Sequence, residues 1–242
     1  GDGVIEVGEQ CDDGDPDGSD CCAADCSFQV QHTTCDHGLA GECLAVLGGQ
    51  CDGSGSCFPK VPSRAFPYSF GVSLALRNTT GEDRDVIAWK ARRAPFQTSN
   101  VPLPGDPTVD TEYTFCAYAV TYDGGFYFVD RLVYEKTVAP GAGWRTTRRG
   151  WRYRARSADG SFVELNATPI PRFAAGGTEA RLPAAESTVE YFDSVDDDTF
   201  PPVRDIYFGL INSAGLRAFN YATTVTRNTP IAFRGSRPHT YD

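Results

Sequence analysis

TEYTFCAYAVTY, Thr111 to Tyr122, runs into DGG, Asp123 to Gly125, and then into FYFVDRLVYEKTV, Phe126 to Val138. Aromatic and β-branched residues crowd both runs, and such side chains suit a pleated, half-buried surface. Asp-Gly-Gly between two such runs is a hairpin turn. Upstream, Ser69 to Leu76 alternates, with Phe70, Val72, Leu74 and Leu76 on one face, and Asp85 to Arg93 sets Val86 and Ala88 opposite Ile87 and Trp89. Downstream, 143–156, 161–168, 189–192, 205–211, 216–226 and 229–234 read as further strands, and Asn212-Ser213-Ala214-Gly215 reads as a second hairpin turn. That makes about ten strands without a convincing amphipathic helix, which predicts an antiparallel β-sandwich or barrel over residues 60–242.

The first 59 residues differ in kind. They carry eight of the nine cysteines, namely Cys11, Cys21, Cys22, Cys26, Cys35, Cys43, Cys51 and Cys57. They also carry twelve of the 32 acidic residues and no Lys or Arg, so the net charge of −10 divides into −12 for this head and +2 for the rest. Its apolar content is little more than Val4, Ile5 and Cys43 to Leu47. A segment so small and polar is marginal on core burial alone and needs staples. Eight cysteines would supply them as four disulfides, among 105 possible connectivities. Such bonds persist only in an oxidising compartment. The expected organisation is a disulfide-rich head, 1–59, followed by a β-sandwich, 60–242. Pro59 to Ser63 reads as a short linker stiffened by two prolines.

Other features agree with secretion. The chain has no Met and no apolar run near the roughly 20 residues needed to span a membrane. No signal peptide stands at Gly1, as expected of a mature form. The acidic balance argues against nucleic-acid binding, which needs a basic surface.

The head opens with Gly1-Asp2-Gly3-Val4-Ile5-Glu6-Val7-Gly8-Glu9-Gln10-Cys11-Asp12-Asp13-Gly14. Carboxylates at 2, 6, 9 and 12, with glycines to let the backbone curl, offer the oxygen-rich shell that Ca²⁺ prefers. This run, with Cys21-Cys22-Ala23-Ala24-Asp25-Cys26, resembles the cysteine-rich repeat of secreted myxobacterial and related deltaproteobacterial proteins. It is also similar to the calcium loop of animal disintegrin-like domains. That resemblance implies Ca²⁺ held by Asp2, the Val4 carbonyl, Glu6, Glu9 and Asp12. The cysteine that precedes the first Gly in the repeat is missing here, so the family's pairing does not carry over. Residues 35–57, ending in Cys51-Asp52-Gly53-Ser54-Gly55-Ser56-Cys57, resemble a companion repeat. That ending reads as a tight, Gly-supplied turn.

Asp13-Gly14-Asp15-Pro16-Asp17-Gly18 matches the start of an EF-hand loop, but the twelfth position is Ala24 and not Glu. It reads as a second cation loop or as a solvated acidic turn. His32, Cys35 and His37 lack the paired spacing of structural zinc.

Roughly residues 70–185 resemble a β-domain that often follows those repeats. The matching residues are Gly105 to Thr108, Thr111 to Tyr118, Gly143 to Arg154 and Asp159-Gly160. The resemblance implies a secreted β-domain with no assigned activity. Family members often carry further cysteines after this strand, and here there are none. Cys116 is therefore expected as a buried free thiol, or as a bond to another chain.

Arg145, Arg148, Arg149, Arg152, Arg154 and Arg156 crowd one segment with Trp144 and Trp151. Read as one strand, it points 148, 152, 154 and 156 one way and 145 and 149 the other. It suits a solvated edge strand, a contact with the acidic head or another subunit, or a polyanion site. The acidic run Asp193 to Asp198 reads as a solvated loop or a weak cation site. Asn78-Thr79-Thr80 and Asn166-Ala167-Thr168 fit the glycosylation acceptor.

Catalytic signatures are missing. The three histidines, His32, His37 and His239, sit in the head and near the C-terminus, and no nucleophile elbow, zinc helix or phosphate loop occurs. Glu135, Glu164, Glu190 and Asp205 are carboxylates on predicted strands with no supporting spacing. The expectation is a non-enzymatic extracellular or cell-surface bacterial protein, structural or adhesive, that self-assembles into a filament or layer. Its expected partners are its own copies, through head-to-tail or strand-exchange contact, or another surface component. A secreted carbohydrate- or matrix-binding module using the aromatics of 111–134 and 144–153 is the alternative, with a secreted hydrolase third. Exposed rings would favour binding; buried rings would favour assembly.

Overall fold

The computed structural model describes residues 4–12, 21–31, 33–35, 41–45, 47–60, 72–77, 85–91, 105–123, 126–168, 170–180, 204–222, 224–229 and 232–237. The chain divides into two compact units, Gly1–Ser63 with Tyr122–Val129, and Arg64–Thr121 with Asp130–Asp242.

The first unit has little regular structure. Strands β1 (Thr34–Cys35), β2 (Gly48–Cys51) and β3 (Cys57–Lys60) pair antiparallel in that order, and a single helical turn, α1 (Glu42–Ala45), precedes β2. Lys60 of β3 pairs with Phe128, in the part of β7 (Phe126–Val138) that borders the hairpin turn. Cys11–Cys22, Cys21–Cys51 and Cys35–Cys57 are among its staples. Each contributes about 2–4 kcal/mol, chiefly by restricting the unfolded chain. Cys21, Cys43 and Cys51 are fully buried, so cystine stands where a larger domain would place Leu or Phe. Gly49 shows how tight the packing is. A Cβ there would meet the Cys35 carbonyl oxygen and the Cys57 sulfur at 2.2 and 2.8 Å. The predicted Gly-supplied turn forms between β2 and β3. Gly53 and Gly55 take φ of +84° and +93°, and the Asp52 carboxylate accepts hydrogen bonds from the Ser54 and Ser56 amides.

The second unit is an antiparallel β-sandwich, as the alternation predicts. One sheet orders β7 beside β6 (Tyr113–Asp123), then β12 (Arg204–Asn212) and β13 (Arg217–Ala222). The other contains β4 (Val72–Arg77), β5 (Val86–Ala91), β8 (Trp144–Thr147), β9 (Gly150–Arg156), β10 (Phe162–Ala167), β11 (Arg172–Gly176), β14 (Thr224–Thr229) and β15 (Ala232–Arg237), in the order β14-β15-β4-β5-β11-β10-β9-β8. A 3₁₀ turn, Gly177–Ala180, follows β11. Residues 61–71, 78–84, 92–104 and 181–203, with the expected strand 189–192, lie outside the described residues.

The core is aromatic and spans both sheets. Phe115 of β6 stacks on Phe173 of β11 with ring centroids 4.3 Å apart and planes 5° from parallel. Trp89 of β5 tilts against Phe115 and Phe208. Polar tips at the margin find acceptors. The Tyr134 hydroxyl donates to the Glu179 carbonyl, and the Trp144 indole N–H donates to the Ala139 carbonyl. Such satisfaction is what lets Tyr and Trp enter a core.

Two expectations need correction. The segment 143–156 is a hairpin of two strands, with Thr147 paired to Gly150 and Arg148-Arg149 forming its turn. A Cβ on Gly150, at φ +135°, would lie 2.3 Å from the Ala167 carbonyl oxygen. β11 was not expected, because Arg-Phe-Ala-Ala-Gly has weak strand propensity. It forms because β10 and β5 pair with it on both sides, and tertiary pairing overrides local preference.

Asp-x-Ser/Thr turns recur through both units. Asp25 accepts from Ser27, Asp52 from Ser54, Asp106 from Thr108 and Asp159 from Ser161, each by amide and hydroxyl. The Thr108 hydroxyl, then its amide, hold Asp106 below the ordinary carboxylate range; for Asp159 the Ser161 amide leads, with the Ser161 hydroxyl next. A carboxyl depressed in the fold stabilises it above the unfolded value and loses that contribution as pH falls through the folded one. Asp106→Asn and Asp159→Asn should therefore each lower the melting temperature at pH 7. Each should also flatten its fall below about pH 4, near the unfolded carboxylate value, and differential scanning calorimetry across pH measures both effects. In the core, Phe115→Ala should cost about 3–5 kcal/mol in denaturant unfolding, whereas Arg148→Ala in the hairpin turn should stay within about 0.5 kcal/mol of wild type.

Candidate interaction surface

Alternation fixes what the second sheet shows to solvent. Leu74, Leu76, Ile87, Trp89, Val163, Leu165 and Phe173 are buried in the sandwich. Their neighbours along each strand must face out. Register then aligns those outward residues in rows across the strands. In one row Arg145 pairs with Arg152, Arg152 with Asn166, Asn166 with Arg172, Arg172 with Lys90, and Lys90 with Ser73. In the next, Arg154 pairs with Glu164, Glu164 with Ala174, Ala174 with Ala88, and Ala88 with Ala75. In the third, Arg156 pairs with Phe162, Phe162 with Gly176, Gly176 with Val86, and Val86 with Arg77.

The result is a basic sheet face. Arg77, Lys90, Arg145, Arg152, Arg154, Arg156 and Arg172 are all exposed on it, and Glu164 is the one acidic side chain in the three rows. The Arg154 Nε sits 2.7 Å from a Glu164 oxygen, and an Arg152 nitrogen sits 3.9 Å from the other. Among the described residues no carboxylate comes within 4.0 Å of Lys90, Arg145, Arg156 or Arg172. Arg156 lies over the Phe162 ring at 6.0 Å. Arg145 opposite Arg152 sets like charges face to face, which weakens a sheet.

These arginines are arranged otherwise than one long strand would have them. Arg145 shares a face with Arg152, Arg154 and Arg156, because the hairpin folds β8 back on β9 in register. Arg148 and Arg149 occupy the turn. Only β8 lies at the sheet edge, since β9 is flanked on both sides. Trp144 faces the core, with Trp151 and Tyr153 packed against it. Of the expected aromatic platform, Tyr113, Phe115, Tyr118, Tyr134 and Trp144 are buried and Trp151 and Tyr153 half-buried; the side chains of Tyr122, Phe126, Tyr127 and Phe128 lie outside the described residues. Lys90, Arg172 and Arg77 were not foreseen. Each could be read as outward from its own strand, but nothing in the sequence says that β5, β11 and β10 are neighbours.

The head loop is the second place of interest. Gln10 and Cys11 amides donate to the Cys26 carbonyl, and the Phe28 amide donates to the Gln10 side chain. The Glu6 amide donates to the Glu9 carboxylate at 2.8 Å. Val4, Ile5 and Val7 stay exposed, and Asp2 and the EF-hand-like run lie outside the described residues. Carboxylates of Glu6, Glu9 and Asp12 suit a hard cation; Glu6 is exposed, and Glu9 and Asp12 are half-buried. Among the described residues the only three metal-capable atoms within 4.8 Å of one another are the sulfurs of Cys21, Cys35 and Cys57, and all three are in disulfides. His32 and His37 lie outside the described residues.

The cysteine reading is corrected in two places. Cys26 is a free thiol, with φ of +57°, although all eight head cysteines were expected in bonds. Cys116 is buried as expected, but it is disulfide-bonded, as is Cys43. Thus the unpaired cysteine of this odd-numbered set is in the head. A hydrogen bond to the Glu9 carboxylate, then burial, then the charges of Glu9 and Asp12, push the Cys26 thiol up.

Glu164 is held by two arginines, Glu190 lies outside the described residues, and Glu135 sits on β7. Comparison with protein-family models, curated proteins and solved structures finds no match.

Maleimide added to the native chain should label one site, which peptide mapping should place at Cys26. Glu9→Gln should speed that labelling at pH 8, because loss of the carboxylate frees the thiolate. Equal rates would mean that the thiol does not face Glu9.

Proposed function

We propose that this chain is a non-enzymatic extracellular or cell-surface protein of a bacterium, structural or adhesive, that assembles through contacts between its own copies. One observation carries the reading. The chain divides its charge between a head with twelve acidic residues and no Lys or Arg and a sheet face with seven exposed bases around one Glu. Complementary patches of this kind steer association and fix its register. A contact between unlike surfaces repeats along a filament unless rotation closes it into a ring.

Disulfides require an oxidising environment, and no helix among the described residues is long and apolar enough to cross a membrane. Burial of the aromatic rings supports assembly over a carbohydrate-binding module, which would present them to a sugar. Calcium is part of the proposal. Asp2, the Val4 carbonyl, Glu6, Glu9 and Asp12 would draw around one ion, closing a loop that is otherwise open and self-repelling.

Light scattering after size exclusion, with negative-stain microscopy, tests this in roughly millimolar Ca²⁺ and again after EGTA. Multimers that shorten on chelation, with a melting temperature that falls, are expected. A monomer of unchanged mass and melting temperature in both buffers would remove both the assembly and the metal.

A further inference from the structure

Between the two flanking rows of the basic face runs a strip of small side chains. Ala174 pairs with Ala88 and Ala88 with Ala75, in line with Glu164. Strands lie about 4.8 Å apart, so the strip is about 14 Å long from Glu164 to Ala75, and rows two residues apart are separated by about 6.7 Å. Arg152, Arg172 and Lys90 border it on one side and Arg156 and Arg77 on the other, all exposed. Ala174 is buried and Ala88 and Ala75 are half-buried, so an acidic segment laid along the strip would meet mainly its basic walls.

We infer that this strip is the docking site for the acidic head of a second copy of the chain. The inference rests on the self-assembly reading and names its surface. Charge complementarity selects the occupant: the face offers several arginines without a carboxylate partner among the described residues, and the head offers carboxylates without a single base. The apolar part fits as well. Val4, Ile5 and Val7 are 59%, 63% and 108% exposed and are interspersed with Glu6 and Glu9, so one short stretch carries both aliphatic side chains for the alanine strip and carboxylates for the arginine walls. Glu6 of the head and the seven bases of the face are each exposed. Repetition then links copies head to face.

A charge swap in the full-length chain tests this, read by analytical ultracentrifugation. Salt at about 0.1 M and about 1 M brackets Debye lengths of roughly 10 and 3 Å. Wild type should associate at the lower salt and dissociate at the higher. R152E/R172E and E6K/E9K should each be monomeric with unchanged circular dichroism, and mixing them should restore a complex. If reversal unfolds the sheet, R152Q/R172Q serves instead and should weaken association about tenfold. Wild-type association unchanged by either face variant would overturn the surface while leaving self-assembly standing, as would a swapped mixture that stays monomeric. A wild type that is monomeric at both salts would overturn the self-assembly reading itself. Retention of that monomer on a polygalacturonate column, lost in R152Q/R172Q, would reassign the strip to an acidic polysaccharide.

Discussion

Phe115 stacked on Phe173 joins the two sheets of the sandwich, and the rest of the second unit is arranged around that contact. Trp89 and Tyr134 pack against this pair, and Phe208 packs in turn on Trp89. Rings of this size bury on the order of 150–250 Å² each, so their strands have no freedom to slip. A one-residue slip would turn every aromatic to solvent and every arginine into the core. The aromatic interior and the basic exterior are thus one constraint seen from two sides. Residues 152, 154 and 156 are arginines at positions whose alternates, 151, 153 and 155, face the sandwich.

The head meets a different constraint. With few apolar side chains to bury, it relies on cross-links, and Cys21, Cys43 and Cys51 are its most buried side chains among the described residues. Close packing of sulfur against backbone then dictates the residues between. Gly49 is small because Cys35 and Cys57 pass over it, and Gly55 because the Phe28 ring does, at 2.6 Å from a Cβ placed there. Cys26 escapes this pattern. It sits beside carboxylates that disfavour the thiolate, the form needed for disulfide exchange, so the local charge that raises its pKa also keeps a free thiol quiet among disulfides.

The sequence was informative wherever structure is local and periodic. Strands β6, β7, β10 and β12 lie within a residue or two of where alternation puts them, and Asn212 to Gly215 makes the expected turn, with the Leu216 amide bound to the Asn212 side chain. It was silent wherever the answer depends on which strands meet. β11 has no signal of its own, being a strand only because its neighbours are. The arginine segment misled because a two-residue turn at Arg148-Arg149, without Asn and with Gly only after it, does not resemble the usual hairpin signal. Half of the basic face was visible as a run of arginines. The other half, on β4, β5 and β11, needed the register. Disulfide partners were beyond sequence in principle, and the assumption that an even set in the head must pair internally concealed that Cys26 is the odd one.

Stability alone does not explain the basic face. Opposed arginines repel, and sheets gain when opposite charges sit across from one another. Glu164 between Arg152 and Arg154 shows that this fold can do so. A surface shaped only by folding and solubility would intersperse both signs, and the chain has acidic residues in excess to do it with. Instead seven of its 22 bases stand on one sheet face around a single Glu, and its base-free acidic stretch is the head. Like charges held together without relief weaken the isolated subunit, and that cost falls when a surface of opposite sign covers them. An uncovered edge strand could have been protected with one or two charges on β8; basic residues continuing inward across β9, β11 and β5 exceed that need. That excess is what the proposed docking of an acidic segment would account for.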